Sequence, residues 1–350
     1  MIMYSSVAVW ILLINKCQAL CFQAFDRVLT APACVALDTA CAAVSASGAS
    51  HRIVDRGQLE TVGPLSTVES CLNCALTELG DQSPFIEWWW RDEWRHLDMH
   101  RDLDEVLARE TNAESSSMLI ESSPNVKNKD SGLRCPTNGH VLYLDVGPEV
   151  QGGPTVLWDT HDVTEDDATS LGITSMAVVP AVRGRLLRFA GTTLHSVPRP
   201  PLAYLDSDCG GTGGAIHTRT IRKPGDDEFT LRRRSVLLFN TWSTRPEGFE
   251  VTEKGLAITD YDGSEGSATV RARTEWLDVA VRCPQELRGD STGAGATARV
   301  KVGLLGDRRR RGTPERHWVG WARGPSAFEA LNSKFEAAVV PISNSPEISD

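Results

Sequence analysis

His100-Arg101-Asp102 and His195 are the residues whose types and spacing could do chemistry together. On a β-strand, positions i and i+2 point to one side, so a His-x-Asp at a strand end brings an imidazole and a carboxylate to one point. A second imidazole from a distant strand completes a face of two neutral nitrogens and one carboxylate. That ligand set suits divalent iron and leaves positions open for reactants. His195 lies in Phe189-Ala-Gly-Thr-Thr-Leu-His195-Ser-Val-Pro198, just after an apolar run, where a returning strand would deliver it. His96-Leu97-Asp98 fits the same short pattern. His100 is preferred because Asp104-Glu105 and a loop follow it, as at a strand exit, whereas His96 sits in a Trp-rich approach that reads as packing.

Strands are therefore needed on either side of these residues. Phe85 to Trp90 packs aromatics into an extended run, as strands favour. Short β-like runs then recur at His140–Val146, Thr155–Trp158, Met176–Val179, Arg185–Phe189 and Ser235–Phe239, separated by Gly/Pro turns. Many short strands with such turns predict a sandwich or barrel of the jelly-roll type. Further strands are expected at Ala298–Leu305 and Ala268–Trp276, and a terminal helix at Ser326–Ala338. Before the strands, Pro64–Leu79 reads as a helix, with Ser66 or Thr67 as N-cap, Glu69 supporting a capping box, and Leu72, Ala75, Leu76 and Leu79 at helical spacing. Asn112–Lys129 and Arg199–Leu231 are polar, Gly- or Ser-rich stretches that read as inserted loops.

Arg232, Arg233 and Arg234 are adjacent, and a planar guanidinium suits a carboxylate. Alternation puts Arg233 with Ser235, Leu237 and Phe239 on one face and Arg232 and Arg234 on the other. His140, His161, His217 and His317 lack a partner at ligand spacing and read as surface or packing residues. Arg308–Arg311 reads as a solvated turn.

The 350 residues suffice for a sizeable core without disulfides, and the net charge of -10 argues against a nucleic-acid partner. Val7–Ile14 is apolar but shorter than the roughly 20 residues of a membrane-crossing helix. With Ala19-Leu20-Cys21 before Phe22, residues 1–21 read as a signal or targeting leader, although Met1–Ser6 carries no Lys or Arg. The secretory pathway or an organelle lumen, including a plastid, is the expected location. Cys71-Leu-Asn-Cys74 lacks a second ligand pair and reads as plain buried helix cysteines. The expected organisation is a leader over 1–21, a helical segment over 22–83, a catalytic core over 84–245 and a partly β C-terminal extension with a flexible tail over 246–350.

Between Glu87 and Trp242 the chain resembles the 2-oxoglutarate/Fe(II) dioxygenases, nearest to the prolyl 4-hydroxylase-like branch. The family's parts appear in order: His100-x-Asp102, Val141-Leu-Tyr143-Leu144, Gly152-Gly153-Pro154-Thr155, Pro180 through Gly184-Arg185-Leu-Leu-Arg-Phe189, His195-Ser-Val-Pro198 and Arg233-x-Ser235. The intervals from His100 to His195 and from His195 to Arg233 are longer than usual, and the two polar insertions account for them. The resemblance implies a double-stranded β-helix core with flanking helices, and iron held by His100, Asp102 and His195. It implies 2-oxoglutarate paired with Arg233, so that Arg232 and Arg234 face outward, and hydrogen-bonded by Tyr143, with O₂ and ascorbate among the cofactors. Asp102 favours hydroxylation, because family members that halogenate carry a small residue there. The implied reaction is hydroxylation of a C–H bond in a prolyl-like peptide or small molecule, with release of succinate and CO₂. The alternative is a catalytically inactive jelly-roll that binds metal or ligand.

Overall fold

The apolar runs after Pro84 form the strands of two facing sheets. The computed structural model describes residues 20–48, 51–58, 66–94, 97–104, 106–108, 134–146, 153–161, 172–198, 205–206, 233–247, 276–282, 297–304, 316–323 and 336–343. In chain order the elements are β1 (Phe22–Asp26), α1 (Ala31–Ala46), β2 (His51–Asp55), α2 (Thr67–Glu78), β3 (Phe85–Glu93), β4 (Leu97–His100), β5 (Asn138–Asp145), β6 (Thr155–His161), β7 (Gly172–Val179), β8 (Leu186–Ala190), β9 (Leu194–Val197), β10 (Leu205–Asp206), β11 (Arg233–Trp242), β12 (Leu277–Asp278), β13 (Val281–Arg282), β14 (Thr297–Leu304), β15 (Arg316–Arg323) and β16 (Ala337–Ser343).

The first sheet has the order β12-β1-β8-β5-β11-β3-β2, and the second contains β7-β6-β9-β4 as neighbours. From β3 to β11 the chain shuttles between them: β3 in the first, β4 in the second, β5 back, β6 and β7 across, β8 back, β9 across, β11 back. The four central strands of each layer thus form a double-stranded β-helix, the jelly-roll core expected, with flanking helices.

One face of the first sheet is covered by the helices. Leu142, Leu144, Ile86, Trp88, Leu237 and Phe239 pack there against Leu37, Cys41, Leu72 and Leu76. The opposite face, with Val141, Tyr143, Leu187, Phe189 and Val236, packs on Leu157, Ala177 and Val179 of the second sheet. α2 starts at the expected capping box, with the Ser66 hydroxyl accepting from Glu69 N–H and the Glu69 carboxylate accepting from Ser66 N–H. α1 buries Cys34, Leu37, Cys41 and Val44 at helical spacing after a Thr30 cap.

The segment expected to be helical also supplies β1 and β2, which extend the first sheet beside β8 and β3. Arg185 explains the hold on β1. It is fully buried, donates from Nε and Nη2 to both Asp26 carboxylate oxygens (2.7 and 2.9 Å), and donates from Nη1 to the Pro180 carbonyl (2.9 Å). Gly184 before it has φ +76°, and a Cβ there would lie 2.7 Å from the Leu29 carbonyl oxygen, so only glycine fits.

C-terminal strands complete the second sheet. β16 pairs with β7, β15 with β16, and β14 with β15 and, in parallel through Leu304 and Met99, with β4. Ala337 and Ala338, expected to end a terminal helix, instead open β16. Their burial beside β7 decides this, since Val339 and Val340 continue a run suited to a pleated surface. Residues 1–19, the insertion at 112–129, residues 268–275 of the expected strand Ala268–Trp276, and Arg308–Arg311 lie outside the described residues. Among the described residues no helix is long and apolar enough to cross a membrane.

Candidate metal centre

β4 and β9 lie antiparallel with His100 directly opposite His195. Opposed residues on one face have Cβ atoms about 5 Å apart, so the pairing brings the rings together. Their centroids are 4.2 Å apart. The register slips between Leu97 and His100. Such a bulge re-aims the side chains that follow it. Asp102 stands just past the strand end, in a segment anchored by Asp104. That buried carboxylate pairs with Arg134 and accepts from the backbone N–H of Glu247 (2.9 Å).

Each imidazole is oriented by a backbone carbonyl. His100 Nδ1 lies 2.7 Å from the Asp98 oxygen and His195 Nδ1 3.1 Å from the Thr193 oxygen. A carbonyl only accepts, so both Nδ1 atoms carry the proton and both Nε2 atoms present a lone pair. His100 Nε2 is 3.8 Å from Asp102 Oδ1, and His195 Nε2 is 3.8 Å from Asp102 Oδ2. This is too long for a hydrogen bond, yet shorter than two metal–ligand bonds of about 2.1 Å each. One ligand atom from each residue lies within 4.8 Å of the others. Burial, and then the neighbouring His195, push the His100 pKa down to about 4, so it is neutral at physiological pH as a metal ligand must be. The Phe189 ring, 5.0 Å from the His195 ring, walls one side.

This is the one group of metal-holding geometry among the described residues. His96 and His217 lie outside those residues. His140 is buried and stacked on Phe239 at 4.4 Å, and His51 stacks on Trp89 at 5.3 Å. Cys71 is buried and free, and burial pushes its thiol up to about 12, as for an inert core cysteine.

A second polar cluster lies further along the space between the two sheets. Tyr143 Oη and Thr155 Oγ1 are 2.6 Å apart, and Arg234 donates to Thr155 Oγ1 (3.3 Å) and to the Gly153 carbonyl (2.8 Å). The Arg234 guanidinium lies 5.3 Å from the centre of the Tyr143 ring. Burial lowers its pKa from the ordinary arginine value. Leu157, two residues after Thr155, pairs with His195, which places the cluster about 7 Å along β6 from the imidazoles. Gly153 is required here. Its φ is +47°, and a Cβ would meet Trp94 at 2.6 Å and Arg234 Cδ at 2.8 Å.

Arg234 is only 4% exposed, against the expectation that it faces outward. Alternation does put Ser235, Leu237 and Phe239 on one face, but that face packs on the helices. Arg234 and Val236 share the face toward the second sheet. Both faces are buried, so the pattern alone could not say which one fronts the cleft. Arg233 opens β11 opposite Glu93, and Arg232 lies outside the described residues.

No family model matches the chain, and no curated protein matches it. Among solved structures, a prolyl-4-hydroxylase from Pseudomonas putida aligns at 14% identity over 66% of this chain and 97% of that one, with a TM-score of 0.34. HygX from Streptomyces hygroscopicus, solved with nickel and 2-oxoglutarate bound, aligns at 12% identity over 67% and 87%, with a TM-score of 0.35. The non-heme alpha ketoglutarate dependent epimerase SnoN from nogalamycin biosynthesis aligns at 16% identity over 66% and 84%, with a TM-score of 0.34. These likenesses are too low to add to the strand order as evidence of fold.

Proposed function

We propose that this chain is an Fe(II)- and 2-oxoglutarate-dependent dioxygenase that hydroxylates a C–H bond of a prolyl-like peptide or small molecule. The observation that carries this reading is the convergence of His100, Asp102 and His195, with both Nε2 lone pairs turned toward one carboxylate. The donor set fits iron: two neutral nitrogens and one anionic oxygen, grouped so that other coordination positions stay open. Iron with 2-oxoglutarate supplies the reductive activation of O₂. In the balanced reaction, substrate C–H, 2-oxoglutarate and O₂ give substrate C–OH, succinate and CO₂.

The chain's own residues position and shield that chemistry. The Asp98 and Thr193 carbonyls hold the two rings in the tautomer that coordinates. Arg234, in place of the expected Arg233, is the cation for the far carboxylate of 2-oxoglutarate, with Tyr143 and Thr155 hydroxyls beside it. A bidentate arginine suits that carboxylate, and a cluster about 7 Å along the strand matches a short dicarboxylate. Trp94 donates from Nε1 to the Pro198 carbonyl (2.8 Å) and packs on Gly153, closing the cleft behind Arg234. Asp102 in the carboxylate position supports hydroxylation over halogenation.

Anaerobic addition of Fe(II) and 2-oxoglutarate should give the weak visible charge-transfer band of the chelate, and admission of air should release succinate. Neither band nor succinate would leave an inactive jelly-roll binding protein as the better reading.

A further inference from the structure

We propose that Glu87 is the substrate-recognising carboxyl of this cleft and that it holds a cationic amine of the substrate. This rests on the oxygenase reading for the word substrate, while the amine site itself can be tested without turnover.

The register of β3 puts Glu87 inside. Glu87, Trp89 and Arg91 stand opposite Asn240, Leu238 and Val236 of β11, and Val236 belongs to the core between the sheets. Ile86 and Trp88, at the alternate positions, face the helices. Opposed residues share a face, so Glu87 projects into the same interior as the metal centre. It stands on the side away from Arg234: along β11 the inward residues run Arg234, Val236, Leu238, Asn240, Trp242, and Glu87 meets the last two. An anchored 2-oxoglutarate at Arg234 leaves that side for the substrate.

Glu87 is 8% exposed, and its Oε2 accepts from the Trp242 indole Nε1 (3.1 Å). Among the described residues no Lys, Arg or His forms an ion pair with it. The Arg134 guanidinium, 5.9 Å from the Trp242 ring, is engaged by Asp104 and by the Arg245 carbonyl. Buried carboxylates are costly unless paired. Burial first, and then the charge of Asp102, push the Glu87 pKa up to about 7. An ammonium entering beside it supplies a pairing charge and, with Trp242 and Asn240 fixing the carboxyl, a defined orientation.

The test is a calorimetric titration of butylammonium, butanol and butyrate into wild-type protein and Glu87→Gln, with and without Ni(II) and 2-oxoglutarate. Glu87→Gln keeps an oxygen for the Trp242 donor, and Glu87→Asp keeps the charge should the first variant fold poorly. Wild type should prefer butylammonium over butanol, and Glu87→Gln should weaken the amine roughly 30-fold while leaving the alcohol unchanged, with Glu87→Asp recovering part of it. Equal binding of amine and alcohol by wild type, or unchanged amine binding by Glu87→Gln, would overturn the inference. Failure of Ni(II) and 2-oxoglutarate to load, with amine selectivity intact, would count against the oxygenase reading and leave the Glu87 site standing.

Discussion

The two faces of the first sheet are built from the same strands and do opposite work. Toward the helices, Leu237, Phe239, Ile86, Trp88, Leu142 and Leu144 meet α1 and α2 in an apolar layer. Its polar members serve to fasten: Trp90 Nε1 donates to Asp38 and to Ser235 (both 2.9 Å), and the Ser235 hydroxyl donates to Asp38. Toward the second sheet, the alternate positions of β11 and β5 carry Arg234, Asn240, Trp242 and Tyr143 among fewer apolar residues. Stability and chemistry are thus separated by the thickness of one layer, and a one-residue slip of β11 would exchange them.

The sharpest break of this comparison is His195→Ala, which should abolish the charge-transfer band and succinate release while thermal unfolding stays close to wild type. A loss of fold with it would show that the two faces are not independent. Next, Arg234→Gln should raise the 2-oxoglutarate KM by roughly 30-fold or more, the loss of one partner of a buried charged pair, with Fe(II) affinity retained. Arg233→Gln, measured alongside, should leave that KM near wild type. On the helix face, Leu237→Ala should cost about 2–5 kcal/mol in denaturant unfolding and leave the band per folded molecule unchanged.

A smaller effect follows from His140, buried on the helix side with its pKa pushed down to about 3, first by burial and then by Arg188. Its folded pKa lies below the unfolded value near 6.5, so the unfolded chain takes up the proton first. The stability it confers is complete above pH 6.5 and is lost as the pH falls toward 3, amounting to about 2 kcal/mol between pH 7 and 5. In His140→Phe that portion of the pH slope should vanish. Smallest is Ser66→Ala, which removes the α2 cap and should cost about 1 kcal/mol with no change in the iron chelate.

Much of the scaffold was readable because local physics specifies it. The Ser66/Glu69 capping box, the aromatic run of β3 and the strands β5 to β8 each follow from spacing and turn residues within a few positions. α1 was less legible, since its Ala- and Val-rich stretch is apolar nearly all round. β1, β2 and β16 were missed because each is a strand by virtue of its neighbour. Phe22–Asp26 is a strand because β8 offers it a partner and Arg185 holds Asp26, and Ala337–Ser343 because β7 offers it a partner. Arg234 was misjudged for the same kind of reason: alternation assigns residues to faces without saying what each face meets.

What the amino-acid order determined by itself was the donor set, two histidines and an aspartate whose types suit iron, and the periodicities that make the segments around them strands. Those properties depend on covalent identity and on neighbours a few residues away. Only the tertiary structure decided that His100 pairs with His195 across two strands, that both rings turn Nε2 toward Asp102, and that Arg234 faces inward. Each of these depends on register and on which buried face lies opposite, quantities set by packing between segments distant along the chain.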